Sequence, residues 1–599
     1  MIYHCEDHTC NYWDEGEKLP ERCPQCGRKL LRANEADMTG DDWTALGNTL
    51  WDAEASDKKR MVDCFRKAAY LGSAWGVCNL GICMEQGNGV EADPVQAFWL
   101  YQQAVEMGSL NAVCCLGVCY QYGIGTAPDA KQAAELYCKA AEYGSPRGQM
   151  LLARAFHDGI GVEADAAEAV HWVRAAAYQR YGEGMHRLGV CYEYGDGVEQ
   201  NWERAVHWFR EAAESGVGVA MTDLGYCYEK GCGVEQSWEQ AFSWYRRGAE
   251  CGDPVSMCNL GLCYQMGYGV EQNWQEAIKW YEQGAQCGDL QSMHNLACCY
   301  EGGEGVEQNE DRAFYWYRRS AEGGNGSAMC NLGRCYKRGY GVEQNWQEAV
   351  KWYEQGAQCG NLQSMHNLAC CYEHGEGVEQ NMTEAIRWYT AAAEGGNADD
   401  MYELGWQYDH GEGVEQDMKK AICWYERAAE QNHPAAMNSL GECYAMGRGV
   451  PRDLETAMEW YRRAAELGEA MADYNMGWHL EQAGKLSEAY THYRKAADGN
   501  DDSAWWALGR FYENGVVVAQ DGKEARRCYE TGEKLGSVKC KMRLARCKLL
   551  GIGGRRAKKA GLDLCRQALE LAKESSEKED YGYEAEMNLL RRTIAENES

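Results

Sequence analysis

Apolar residues recur along this chain every three to four positions within short stretches, the mark of amphipathic helices. In the stretch beginning near Val255, Met257, Leu260, Gly261 and Tyr264 share one stripe. Gly267 and Gly269 then interrupt it, because glycine enters positive φ without a Cβ penalty. Asn273 is a suitable N-cap, and Glu276 three residues on completes a capping-box pattern. Ala277, Trp280, Tyr281, Gly284 and Ala285 form the stripe of a second helix, and Gly288 ends it. The pattern predicts a helix–turn–helix hairpin. Small residues at Gly261, Ala277 and Ala285 allow close approach, and large ones at Leu260, Tyr264, Trp280 and Tyr281 fill the gaps. One such hairpin cannot bury its apolar face alone, so it must stack on others.

A longer period organises these hairpins. The valine of a GVEQ-like segment, replaced once by Thr126, recurs from Val90 to Val450 in steps of 36 residues. A Leu-Gly or Leu-Ala marker keeps the same step from Leu80 to Leu440, continues at Met476, Leu508 and Leu544, and is anticipated by Leu46. About 15 units follow, which predicts an all-α solenoid. The units 271–308 and 343–380 are near-copies 72 residues apart, consistent with duplication of two repeats at once.

The motifs LGVCYEYGDGV (188–198) with AVHWFREAAESG (205–216), and LGECYAMGRGV (440–450) with AMEWYRRAAELG (457–468), resemble the Sel-one-like repeats, relatives of the tetratricopeptide repeats. The resemblance covers roughly residues 41–570. It implies a right-handed superhelix with the first helix of each pair on the inner face, and a non-enzymatic scaffold for protein complexes. Two units depart: the loop after Met476 is four residues short, and the first unit is two residues short and lacks GxGV.

Residues 1–30 fall outside the repeat. Cys23, Cys26 and Gly27 form a C-P-x-C-G knuckle whose turn aims two thiolates at one point, and Cys5 and Cys10 supply the other pair. Four thiolates suit a tetrahedral Zn²⁺ or iron site. The stretch resembles zinc ribbons and rubredoxin-like modules. Its first knuckle has C-x4-C spacing, and Cys5 with His8 is a possible substitute pair. Zn²⁺ is favoured over iron because the lengthened knuckle departs from the redox form. The expected organisation is a metal module at 1–30, a linker at 31–40, the repeats at 41–575 and a capping helix at 576–599, in which Met587, Leu590 and Ile594 share a stripe.

Charge narrows the choice of partner. The net charge of −32 argues against nucleic acid and anionic membrane, which need clustered cations. Residues 541–599 reverse the trend, with 13 Lys and Arg against 10 Asp and Glu. No apolar run is long enough to cross a bilayer, and the start MIYHCEDHTC has no signal-like apolar region. A cytoplasmic setting is therefore expected. There the 31 cysteines would stay reduced, and those three residues after each Leu marker would be interior fillers. Cys251 and Cys258 keep a spacing that resembles the bridged cysteines of secreted relatives, but only one unit carries both. His294 with Cys298 and His366 with Cys370 are i, i+4 pairs that could hold a metal; they are read as copied groove positions. The repeated glycines follow helices rather than strands, so they are not phosphate loops. No Ser/His/Asp order or metalloprotease helix is evident, so no enzyme is expected.

The relatives imply that the inner face is formed two residues before each Leu marker and two and five after it. Tyr402, Trp406, Tyr474, Trp478 and Trp506 form an aromatic run there, beside Asp409, Glu442, Glu481 and Glu513. Aromatics among carboxylates suit a basic, partly apolar protein or peptide. The cations that would clamp a C-terminal carboxylate are missing from these positions. Two alternatives stay open: a redox or regulatory module with a rubredoxin-like head, and an exported effector that binds a host protein. The oligomeric state is open.

Overall fold

A computed structural model describes residues 2–5, 13–15, 30–32, 38–51, 55–578 and 584–598. Three short strands, β1 (Ile2–Cys5), β2 (Trp13–Glu15) and β3 (Leu30–Arg32), form an antiparallel sheet in the order β2-β1-β3. Thirty-one helices, α1 (Gly40–Thr49) to α31 (Glu584–Glu598), make up the rest of the described chain. The described chain divides into two compact units, Met1–Asn309 and Glu310–Ser599; helices α1 to α14 pair in sequence as seven antiparallel hairpins, each packed on the next and the last on α15, and in the second unit α17 to α30 pair as seven more, with α16 packed on α17.

The repeat α13 (Pro254–Met266) and α14 (Trp274–Gln286) shows why the consensus folds this way. Leu260 and Tyr281 are fully buried. A Cβ on Gly261 would stand 2.6 Å from Cε1 of Tyr281, so the Leu-Gly marker is the seat of the second helix's tyrosine. The α13 helix ends at Gly267 in the left-handed region, φ +77°, whose N–H bonds to the Cys263 carbonyl. Gly269 (φ +68°) passes so close to the preceding hairpin that a Cβ would lie 2.2 Å from the Trp238 carbonyl oxygen. Asn273 caps α14 by accepting from the amides of Gln275 and Glu276. The complete reciprocal box forms at Thr39 and Asp42 instead.

The GVEQ glutamine has a structural task. Gln272 Nε2 donates to the Gln265 carbonyl at 2.7 Å, and Gln200, Gln236, Gln380 and Gln520 repeat the bond at 2.8 Å, satisfying a carbonyl at the end of each first helix. The cysteines three residues after the marker, including Cys83, Cys227, Cys371 and Cys443, are all buried. Cys251 is exposed, Cys258 is buried, and neither is in a disulfide.

In the second unit the array ends on α29 (Val538–Leu550), α30 (Lys558–Lys578) and α31. Met587 and Leu590 of α31 are buried against Met542, Ala545 and Cys565.

Candidate functional site

First helices of successive hairpins pack on one another, α17 (Gly326–Arg338) on α19 (Leu362–His374) and α27 (Asp502–Asn514) on α29. Side-chain hydrogen bonds between His366 and Asp400 and from Asn475 to Asn438 link further first helices of the second unit. Its accessible stripe is the position two residues after each marker. On α21 (Ala398–His410), Trp406 is half-buried and stacks on His410, with ring centroids 4.4 Å apart. On α25 (Ala470–Gln482), Trp478 is 38% exposed and meets His479 edge-on at 4.7 Å. Between them, Glu442 on α23 (Pro434–Met446) is held by the Asn438 and Asn475 side-chain amides, each at 3.2 Å, lies 3.8 Å from the Arg448 guanidinium, and keeps 37% of its side chain exposed. Tyr402 stacks on His433 at 5.0 Å and lies half-buried beside this stripe.

The remaining residues expected to meet a ligand lie deeper. Tyr474 packs against Tyr493, with ring centroids 5.6 Å apart. Trp506 is covered by its own chain: Arg510 sits 4.6 Å and Lys539 5.3 Å from its ring. Cations of the protein therefore occupy the ring face expected to receive a ligand's cation.

Three of the four carboxylates must be reassigned. The position five residues after the marker is the acceptor for the buried tyrosine of the same hairpin. Tyr245 donates to Glu229 at 2.8 Å, Tyr281 to Gln265 at 2.7 Å and Tyr389 to Glu373 at 2.6 Å. Asp409 belongs to this set: it is 4% exposed, lies 3.5 Å from the Tyr425 hydroxyl and pairs with Arg448 at 3.0 Å. Glu481 accepts from Tyr493 at 2.8 Å and from Arg510 at 2.9 Å. Glu513 accepts from Tyr529 at 2.8 Å and pairs with Arg543 at 3.3 Å and with Arg546. Their charge is spent inside the fold, because a buried carboxylate needs a partner. Only Glu442 remains directed toward solvent on this stripe. The constant separation of 16 residues between acceptor and tyrosine in most units was visible in the sequence and would have revealed the bond.

The first unit differs. Between its first helices lies a cavity of 490 Å³ lined by Arg147, Arg154, His157 and Arg187 together with Asp158, Glu183 and Asp196.

The expected metal ligands Cys10, Cys23 and Cys26 lie outside the described residues, and Cys5 is described only in its backbone, at the end of β1. Among the described residues no three His, Cys, Asp or Glu side chains converge as a metal site, and no helix is long and apolar enough to cross a membrane.

A family model described as Sel1 repeat matches thirteen segments from residues 76–109 to 504–537. Among solved structures, a protective antigen present in uropathogenic Escherichia coli strains displaying an SLR fold is 32% identical. That match covers 75% of this chain and 97% of the other, with a TM-score of 0.51. A Sel1 repeat protein from Oxalobacter formigenes is 28% identical over 52% of this chain and 89% of its own, with a TM-score of 0.40. A search of curated proteins finds no match.

Proposed function

Because the chain belongs to the Sel1 repeat family, we propose that it is a non-enzymatic interaction scaffold whose second unit binds a protein or peptide along the first-helix face. The observation that carries this reading is the pair Trp406 and Trp478, two repeats apart, both accessible and both braced by a histidine ring. Braced aromatics give contact area at low entropic cost. Glu442, with Tyr402 beside it, supplies a negative acceptor between them. The ligand class is a segment with Lys or Arg next to an apolar residue. Tyr474 and Trp506 form the floor of this site, and Asp409, Glu481 and Glu513 stiffen the helices beneath it.

Peptides selected from a displayed random library on the full-length chain test this directly. The reading expects a consensus with a cation beside an apolar residue, lost on Trp406→Ala. An acidic consensus, or binding indifferent to Trp406 and Trp478, overturns it.

The amino-terminal module is proposed to hold Zn²⁺ on Cys5, Cys10, Cys23 and Cys26. Two features support it: the paired cysteine spacings, and the register that sets Cys5 opposite Leu30, four residues beyond Cys26. The metal would supply folding energy to a segment too short for a core. Metal analysis of the purified chain decides between zinc and the iron of a redox head. A cytoplasmic setting agrees with the free buried thiols. Similarity to a chain described as a protective antigen favours, as a second reading, action outside the cell; fractionation of the producing cell separates the two.

A further inference from the structure

The first-helix face carries a constellation that the binding proposal does not use. On α19, Cys370 Sγ lies 3.5 Å from His366 Nε2, one helical turn away. His366 Nδ1 lies 2.7 Å from Asp400 Oδ1, which projects from α21 of the next hairpin. Asp400 is completely buried, and its Oδ2 has no hydrogen-bond partner. A carboxylate accepts, so the hydrogen on this side of the ring belongs to Nδ1. The other ring nitrogen, Nε2, faces the thiol and is where the proton given up by Sγ comes to rest. Nucleophile, base and orienting acid stand in the order that activates a thiol.

The surroundings set the kind of reagent. The Tyr389 hydroxyl lies 3.4 Å from Cys370 Sγ and donates to Glu373 at 2.6 Å. Glu403 and Asp399 lie on α21 beside Asp400. This acidic rim repels anionic reagents and admits neutral ones. Cys370 and the His366 side chain are both partly exposed, so a small molecule can reach them. Hydrogen bonds from Asp400 and then Cys370 push His366 up to about 10 against the opposing effect of burial. The duplicated unit has the same pair, His294 and Cys298, 3.6 Å apart, yet the position 72 residues before Asp400 is Ala328.

We propose that Cys370 is a nucleophilic thiol, with His366 as its base and Asp400 as the positioning residue, and that it is a modification site for small neutral hydroperoxides. His366 Nε2 takes the thiol proton and the sulfur attacks one peroxide oxygen. The S–O bond forms as the O–O bond breaks, the sulfur is oxidised to a sulfenic acid, and the departing hydroxide or alkoxide takes the imidazolium proton and leaves as water or an alcohol.

The test exposes the full-length protein to hydrogen peroxide at neutral pH, traps sulfenic acid with dimedone, and quantifies each cysteine peptide by mass spectrometry. Cys370 is expected to be labelled at least about tenfold faster than Cys298, a modest share of what a positioned base supplies. His366→Ala should lower Cys370 labelling to the Cys298 level or below, since Cys298 keeps His294, and added imidazole should restore it at Cys370 alone. Asp400→Asn should slow Cys370 several-fold while leaving Cys298 unchanged. A fold merely loosened by substitution would raise labelling at both. Equal wild-type rates overturn the proposal, as does a His366→Ala variant that is unaffected or slow without imidazole rescue. The wild-type comparison and the rescue stand even if Asp400→Asn does not fold.

Discussion

Substituting Arg543 by Met probes the reassignment of Glu513 from ligand contact to internal anchor. Arg543 on α29 binds Glu586 of α31 through contacts of 2.7 and 2.8 Å, and Glu513 of α27 at 3.3 Å. The three side chains are only 14%, 8% and 9% exposed. Glu513 keeps Arg546 and the Tyr529 hydroxyl when Arg543 is lost. Glu586 loses both close contacts and becomes a buried carboxylate without a cation. Removing one partner of such a pair costs about 3–5 kcal/mol, and the surviving Glu513 contacts place this case near the lower end. Repeat arrays sum local terms, so the loss should be confined to α27 through α31. Hydrogen exchange read by mass spectrometry should show faster exchange there and unchanged rates in the first unit. The double variant Arg543→Met/Glu586→Leu should recover most of the loss, because it removes the stranded charge as well. A single variant within about 0.5 kcal/mol of the wild type, or a double variant no better than the single one, would refute the reasoning.

Other perturbations have equally definite outcomes. Gly269→Ala places a Cβ in the left-handed region and 2.2 Å from the Trp238 carbonyl oxygen; it should cost about 2 kcal/mol or more and speed exchange in the two adjoining hairpins only. Cys23→Ser should abolish stoichiometric zinc, measured by elemental analysis, while the helical circular dichroism of the repeats is retained. His366 is raised in the folded state from 6.5 to about 10, so its stabilisation is complete below about 6.5 and disappears as pH rises through 10. The stability gap between wild type and Asp400→Asn, from denaturant titrations, should therefore narrow from pH 6 to pH 10; a constant gap contradicts the pairing.

The hairpins were legible because their determinants are local. Leu260, Gly261, Gly267 and Gly269 sit in one short segment, and each position has a single steric reason for its residue type. The proposed ligand face was legible only in part. The accessibility of Trp406 and Trp478 follows from spacing, since the stripe two residues after the marker repeats with the hairpin. The acids at 409, 481 and 513 are legible only through the separation from a tyrosine of the next helix that recurs from unit to unit, because taken singly an acidic residue near a helix end looks the same whether it faces water or that tyrosine. Trp506 was misjudged for a related reason: Lys539, which covers it, lies 33 residues away on another hairpin. The Cys370, His366 and Asp400 group joins two hairpins in the same way. Its i, i+4 half was visible, but the carboxylate 34 residues on was not.

On the proposed function, the second unit binds its partner through Trp406 and Trp478 on the first-helix face. The most direct measurement is a calorimetric titration of a library-selected cationic, partly apolar peptide into the wild-type chain and into Trp406→Ala, Trp478→Ala and Glu513→Gln. Each tryptophan variant should lose about 1–2 kcal/mol of binding, roughly a tenfold rise in Kd. Glu513→Gln should bind as the wild type does, because that carboxylate is spent on Arg543 and Arg546. Tryptophan variants that bind unchanged, or a Glu513→Gln variant that binds weakly while its fold is intact, would contradict the claim.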